Sequence, residues 1–505
     1  MHPMKKLFTI CGLLLAVAVV RAALPQPDLI AQIHFAGAQK FSAAPDVAAF
    51  TNEFCSTAAL ALRNQTADKL APWLAAWLQP NAGATVADGA AKLRPLFDDL
   101  QTSEWFLEAR AAADGTPQTA IAIQLDAGRA QLWQTNLKPF FPAGTFQPAG
   151  GWLIFCTSPA AKSLGEALAQ KISKPGGGWL DADINWPRLA QWYPKLKELG
   201  LPETRLSVTP VGDNLQVSGK FFFPENLAIT LDPWRVPTNT VHQPFVSFTA
   251  VRGLAAWLPT QPWALAYKIL PTPNQLFVWA LPLSPFQTFA AAPVPDAADA
   301  LTQAYERLQP VLDLQNAAGT FFRPLTMNRT NDEIHFVGTP FIAPFLRAVR
   351  EPAGQFLMAG VFPNTARSKP LPPQLFARLA QPNLVYYHWE ITAARLGDRF
   401  DELPQLTQLG LMLTQHRQLG SDSAALKWIR KSAPYFGNTV TEVFQTGPAE
   451  MTFTRTASGG LTAFEMLALG SWLEAPNFPG CNLKIQRPIR RPHAHPQIIT
   501  PPPAH

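Results

Sequence analysis

The alternation of apolar and polar positions divides this chain into many short elements of both kinds. Asp88 to Leu100 places Leu93, Leu96, Phe97 and Leu100 at i, i+3, i+4 and i+7, one apolar stripe of a helix. Ala160 to Ile172 repeats the spacing with Leu164, Leu168 and Ile172. Asp296 to Leu314 opens on an acidic N-cap candidate and carries Leu301, Tyr305, Leu308 and Leu312. Asp46 to about Leu78, rich in Ala and Leu, reads as two helices broken near Pro72. Gln405 to Thr414 and Ser423 to Lys431 are shorter candidates.

Strand patterns lie between these helices. Ile121 to Asp126 alternates apolar and polar residues, and Trp152 to Cys156 is a short continuous apolar run. Arg205–Thr209 and Leu215–Phe223 flank Gly212-Asp213-Asn214, a hairpin turn signal. Phe245–Ala250, Leu276–Ala280, Thr320–Leu325, Ile334–Val337 and Phe356–Val361 follow. Val440–Gln445, Met451–Thr456 and Leu461–Leu467, separated by turn residues, read as a three-stranded meander. Fifty prolines punctuate the chain, so long unbroken helices are not expected.

The pattern also repeats. Gly178 to Trp192 is a strand running into a short helix that contains Arg188-Leu189. Asn383 to Gly397 has the same shape, with Arg395-Leu396 in the matching place. Phe245 to Leu258 is a looser third instance. The expected fold is therefore α+β, with two similar halves at 23–240 and 241–480. Each half is expected to be an antiparallel sheet with helices packed on one side.

The two ends differ from this body. Lys5 and Lys6 precede a charge-free run from Leu7 to Val20, and Val20 and Ala22 fit the −3 and −1 places of a cleavage site. Residues 1–22 thus read as a signal peptide, which makes the mature chain extracytoplasmic, in the periplasm or secreted. The run is 14 residues long, short of the roughly 18–20 of a permanent span. No later stretch reads as a transmembrane helix. Residues 481–505 are rich in Pro, His and basic residues and read as a disordered tail.

Charge follows the same division. Of 41 Lys and Arg, three (Lys5, Lys6, Arg21) fall in the leader and four (Lys484, Arg487, Arg490, Arg491) in the tail. That leaves 34 against all 35 acids in the body, so the sequence pI near 9.1 reflects the ends. A near-neutral body argues against a nucleic-acid partner. Export leaves Cys55, Cys156 and Cys481 with any disulfide pairing open. Buried apolar packing is the expected role of Cys55 and Cys156.

Candidate chemistry is sparse. The chain has no G-x-S-x-G, H-E-x-x-H, Walker or G-x-G-x-x-G motif. Gly176-Gly177-Gly178 leads into a strand and reads as a turn. Asp181 and Asp183 stand on one face of a predicted strand, where two carboxylates can hold a divalent cation or share acid and base duties. No His or third acid lies close by in sequence. His388 and Glu390 hold the same alternate spacing in the second half, in corresponding places of the repeat. A satisfied pair on a sheet face is the plainer reading of each. His493, His495 and His505 on a tail are a poorly organised metal site, so neither metal nor cofactor is expected. Most of the 15 tryptophans are expected in the core, including Trp73 and Trp77 at i, i+4 and the pair Trp186 and Trp192.

Leu29 to Gly37 (LIAQIHFAG) and Val236 to Gly253 (VPTNTVHQPFVSFTAVRG) carry a resemblance. With the leader and the Pro/Trp-rich pattern, the chain resembles uncharacterised exported proteins of verrucomicrobial bacteria. The resemblance implies export and no particular activity. The leading expectation is a non-catalytic envelope protein that binds an envelope protein or a ligand, with the junction of the halves as the candidate place. The alternatives are an extracytoplasmic hydrolase using one of the two residue pairs, and a structural envelope component.

Overall fold

A computed structural model describes residues 28–479, apart from 39, 41–53, 80–85, 174–177, 198–199, 242–244, 261–271, 283–287, 318–323, 340–341, 363–372 and 397–422. The leader, the tail, Cys481, the Gly176-Gly177 turn, the helix expected at 405–414 and most of the strand expected at 320–325 lie outside the described residues.

The chain is mixed helix and strand, built on one 18-stranded antiparallel sheet. The first eight strands are β1 (Leu29–Phe35), β2 (Trp105–Ala111), β3 (Pro117–Gln124), β4 (Thr145–Ala149), β5 (Trp152–Cys156), β6 (Leu180–Ile184), β7 (Glu203–Val211) and β8 (Asn214–Phe222). The next seven are β9 (Ser247–Arg252), β10 (Gln275–Ala280), β11 (Thr288–Val294), β12 (Thr326–Arg329), β13 (Glu333–Val337), β14 (Phe345–Glu351) and β15 (Gly354–Gly360). The last are β16 (Leu384–Ile391), β17 (Asn438–Gly447) and β18 (Glu450–Ala457). β8 pairs with β18 in the middle of the sheet. Outward from that pair, one side runs β7, β6, β1, β2, β3, β5, β4. The other runs β17, β16, β9, β10, β11, β15, β14, β13, β12.

The helices used below are α1 (Thr57–Leu78), α2 (Val86–Thr102), α3 (Ala127–Leu137), α4 (Lys162–Lys171), α5 (Trp186–Trp192), α6 (Ala297–Ala317), α7 (Pro373–Leu379), α8 (Thr392–Leu396), α9 (Ala424–Ser432) and α10 (Ala463–Leu473). They cover both faces of the sheet, where one side was expected. Alternate residues of a strand point to opposite faces, and β5 is apolar on both. Its Leu153 and Phe155 pack under α1, α2 and α3, while Ile154 and Cys156 pack under α4. In the second half, Leu346 and Leu357 lie under α6, whereas Phe345 and Met358 lie with Leu375 and Leu379 of α7. We call the α4 and α7 side the front and the other the back. A continuous apolar run such as WLIFC demands two layers, which places the second set of helices.

Two further expectations are corrected. Prolines do not keep the helices short: α1, α2 and α6 are 22, 17 and 21 residues long and contain Pro72, Pro95 and Pro310. Pro72 sits on the exposed side of α1, so water can serve the Asp68 carbonyl that its missing N–H leaves free. The third strand of the expected meander is helical, as α10. Thr462 and Glu465 form a capping box at its start, a signal that outweighs the apolar run behind it. The sheet partner of β18 on that side is β8, more than 200 residues earlier.

Candidate functional site

Asp181 and Asp183 share the front face of β6, as their spacing predicts. The partners missing near them in sequence come from other strands. His34 of β1 stands opposite Asp181 and is 5% exposed. Its Nδ1 lies 3.4 Å from Asp181 Oδ2, and its Nε2 lies 2.9 Å from Glu104 Oε1. The imidazole stacks on Phe106, with ring centroids 4.2 Å apart. Gly37, at φ 84°, makes the approach of Glu104 possible, because a Cβ there would stand 2.8 Å from the Glu104 amide nitrogen.

Asp183 meets Arg205 Nε at 3.1 Å, and Arg205 also binds Glu203 at 3.1 Å. Burial raises the Asp183 carboxyl above its usual range against the pull of Arg205, and the Glu203 charge adds to the rise. Beyond His34 the ion pairs continue on the same face, with Lys171 2.5 Å from Glu108 and Lys220 2.7 Å from Glu450.

His388 and Glu390 lie on the back face. His388 Nδ1 is 2.8 Å from Thr249 Oγ1, and Nε2 is 3.4 Å from Glu390 Oε2, an ion-pair separation without hydrogen-bond alignment. Glu390 is 2% exposed. It accepts from the Ala463 amide at 2.7 Å and from the Thr392 hydroxyl at 2.8 Å. The first of these donors is at the N-terminus of α10, where a negative charge is favoured. Burial alone would raise its carboxyl. The adjacent His388, the Ala463 amide and the Thr392 hydroxyl together hold it below the usual range. Beside this cluster, Arg455 donates to Glu465 at 2.8 and 2.9 Å and to Thr441 at 2.8 Å.

The two candidate pairs therefore do not form one site. Cross-strand register puts Asp181, Ser207, Ser218, Thr454, Glu442 and Tyr387 in a single row, so Asp181 shares a face with Tyr387 and not with His388. β6 and β16 are five strands apart, about 24 Å at ~4.8 Å per strand. In each pair both imidazole nitrogens already face a carboxylate or a hydroxyl. His34 is 5% exposed and His388 Nε2 is buried without a hydrogen bond, so neither ring nitrogen is open to solvent. In the His34 cluster the two carboxylates sit against opposite edges of the ring, so they cannot close on one ion. Among the described residues no group of three or more His, Cys, Asp or Glu is arranged to hold a metal.

The middle of the front face is different in character. Its first row is the one just given, and the next holds Asp183, Arg205, Lys220 and Thr452. Apolar layers stand on either side, under α4 and around α7. The back of the same strands is apolar, with Leu206, Phe221 and Phe453 clustered. Ser218, Thr452 and Thr454 are half-buried at the β8–β18 join. Nothing in the sequence of either strand alone marks this floor, because it arises from pairing two distant segments.

The tryptophans also depart from expectation. Trp73 is 45% and Trp77 50% exposed, and Tyr193 lies 5.9 Å from Trp77, ring centre to ring centre. Trp186 and Trp192 are half-buried. Cys156 is buried and free, as expected, whereas Cys55 is free and exposed, so these two are not paired. Among the described residues no helix is long and apolar enough to cross a membrane. Compared with protein-family models, with curated proteins and with solved structures, the chain matches none.

Proposed function

We propose that this is an exported, non-catalytic binding protein made of two similar halves, and that its partner or ligand lies on the polar front floor where the halves join. The export reading rests on the leader sequence. The reading of two halves is supported by the strand order. With the β12–β13 hairpin set aside, β1 to β8 follow one plan outward from the centre, and β9, β10, β11, β14, β15, β16, β17 and β18 follow the same plan. Gly37 after β1 and Gly253 after β9 also share a positive φ, 84° and 83°.

One observation carries the binding reading. At the centre of the sheet, the front face presents hydroxyl and charged side chains between two apolar layers. Such a floor offers many hydrogen bonds without a preorganised nucleophile or base. Its chemistry suits a polar surface or an extended polar chain. A hydrolase would need a base that a substrate can reach, whereas His34 is 5% exposed and His388 Nε2 is buried.

The test is photo-crosslinking from a benzophenone amino acid placed at Ser218 or Thr454 in the exporting cell, with the hairpin-tip residue Val211 as control. Specific adducts from 218 and 454 and none from 211 are expected. Equal labelling at all three positions, or none at any, sinks the proposal.

A further inference from the structure

A second surface points to a lipid bilayer. Large exposed aromatics on a folded body mark contact sites, and Trp and Tyr are the residues that settle at the boundary between headgroups and acyl chains. Trp73 and Trp77 occupy one exposed side of the last turns of α1, with Pro72 and Ala76 beside them. Tyr193, 36% exposed, extends the patch from the end of α5.

The path of the chain gives the patch an orientation. Arg188 of α5 donates to the Leu29 carbonyl, and the Asn185 amide donates to the Ile30 carbonyl at 2.9 Å. The start of β1 is thus bound to the first turn of α5, and Tyr193 lies five residues further on, about 7.5 Å along a helix axis. In sequence eight residues separate the apolar segment Leu7–Val20 from Leu29, and it is the Leu29 end of β1 that α5 holds near the aromatic patch. The orientation rests on the export reading of that segment.

We propose that Trp73, Trp77 and Tyr193 form a membrane-docking surface that rests on the bilayer from which the leader emerges. This surface is separate from the polar floor, and the proposal stands or falls independently of the binding reading. It predicts contact by aromatic rings at headgroup depth, with no span.

The test uses the chain as recovered from the exporting cell and vesicles of phosphatidylcholine and phosphatidylglycerol in a 7:3 ratio, with and without brominated acyl chains. The leader contains no tryptophan, so bromolipid quenching reports only the body. Wild-type protein is expected to float with vesicles and to be quenched. The triple variant Trp73→Ala, Trp77→Ala, Tyr193→Ala should lose quenching and bind at least about tenfold more weakly, while its far-UV circular dichroism is unchanged. A second variant, Trp73→Phe with Trp77→Phe, should retain flotation. Absence of wild-type quenching, or flotation unaffected by the triple substitution, overturns the proposal. So does binding of the wild type to soluble glycans but not to vesicles.

Discussion

Replacing Glu390 by glutamine separates a structural carboxylate from a reactive one. The side chain is 2% exposed and accepts two hydrogen bonds, from the Ala463 amide and the Thr392 hydroxyl, at 2.7 and 2.8 Å. Glutamine keeps the shape and one acceptor oxygen but removes the charge that α10 and His388 favour. Hydrogen bonds to a charged group contribute about 1.5–3 kcal/mol each, against about 1 for neutral ones. The expected loss for Glu390→Gln is therefore roughly 2 kcal/mol. Glu390→Ala orphans the buried Ala463 amide and leaves the Thr392 hydroxyl only Thr439, and should cost about 3 kcal/mol.

The pH dependence has a definite sign. The folded-state pKa of Glu390 lies below the usual carboxylate range, so its stabilisation is complete once the pH is above that range. It is lost as the pH falls through the folded-state value. Urea unfolding followed by circular dichroism at pH 7 and pH 4 measures both effects. Wild type should lose more stability than Glu390→Gln on acidification, the remainder in both coming from other lowered carboxylates such as Glu108 and Glu474. An unchanged midpoint for the variant at pH 7, or parallel losses in the two proteins, refutes the assignment.

Three other outcomes follow from the geometry. Arg252 is 4% exposed and donates to the carbonyls of Leu384, Asp232, Gln381 and Pro382, so Arg252→Ala should destabilise by at least about 3 kcal/mol through orphaned acceptors, measured by the same urea titration. Gly253 has φ 83°, and a Cβ there would stand 2.3 Å from Ile229 Cγ2; Gly253→Ala should cost about 1–3 kcal/mol, seen as a lowered thermal midpoint. Burial raises the Cys156 thiol, so in a Cys481→Ser background a maleimide should label Cys55 in the native protein and Cys156 only after denaturation.

Local signals in the sequence identify many elements. The Gly212-Asp213-Asn214 turn places β7 and β8, and the stripe of Leu93 and Leu96 places α2. The candidate chemistry was legible only in pairs along a strand. His34 reaches Asp181 from 147 residues away, and Glu104 reaches His34 across 70, because strand order and not chain order sets neighbours. The apparent correspondence of Asp181/Asp183 with His388/Glu390 fails for a related reason. Side chains alternate with a period of two, and the sheet register puts Asp181 with Tyr387 on the front and His388 on the back. Prolines misled because their cost depends on exposure, and Pro72 lies on the exposed side of α1, where water can reach the freed carbonyl. Trp73 and Trp77 misled because i, i+4 spacing fixes a shared helix side without saying whether that side meets the core or solvent.

The central claim is that the two runs of strands join at β8–β18 and leave an accessible polar floor there. Ser218 and Thr454 stand directly opposite each other in that join. In a protein with Cys55, Cys156 and Cys481 changed to serine, the double substitution Ser218→Cys, Thr454→Cys tests both parts at once. The account predicts that both thiols react with a soluble maleimide in the native state, and that mild oxidation instead links them within one chain. Thiols that react only after denaturation, or that never link, would contradict it.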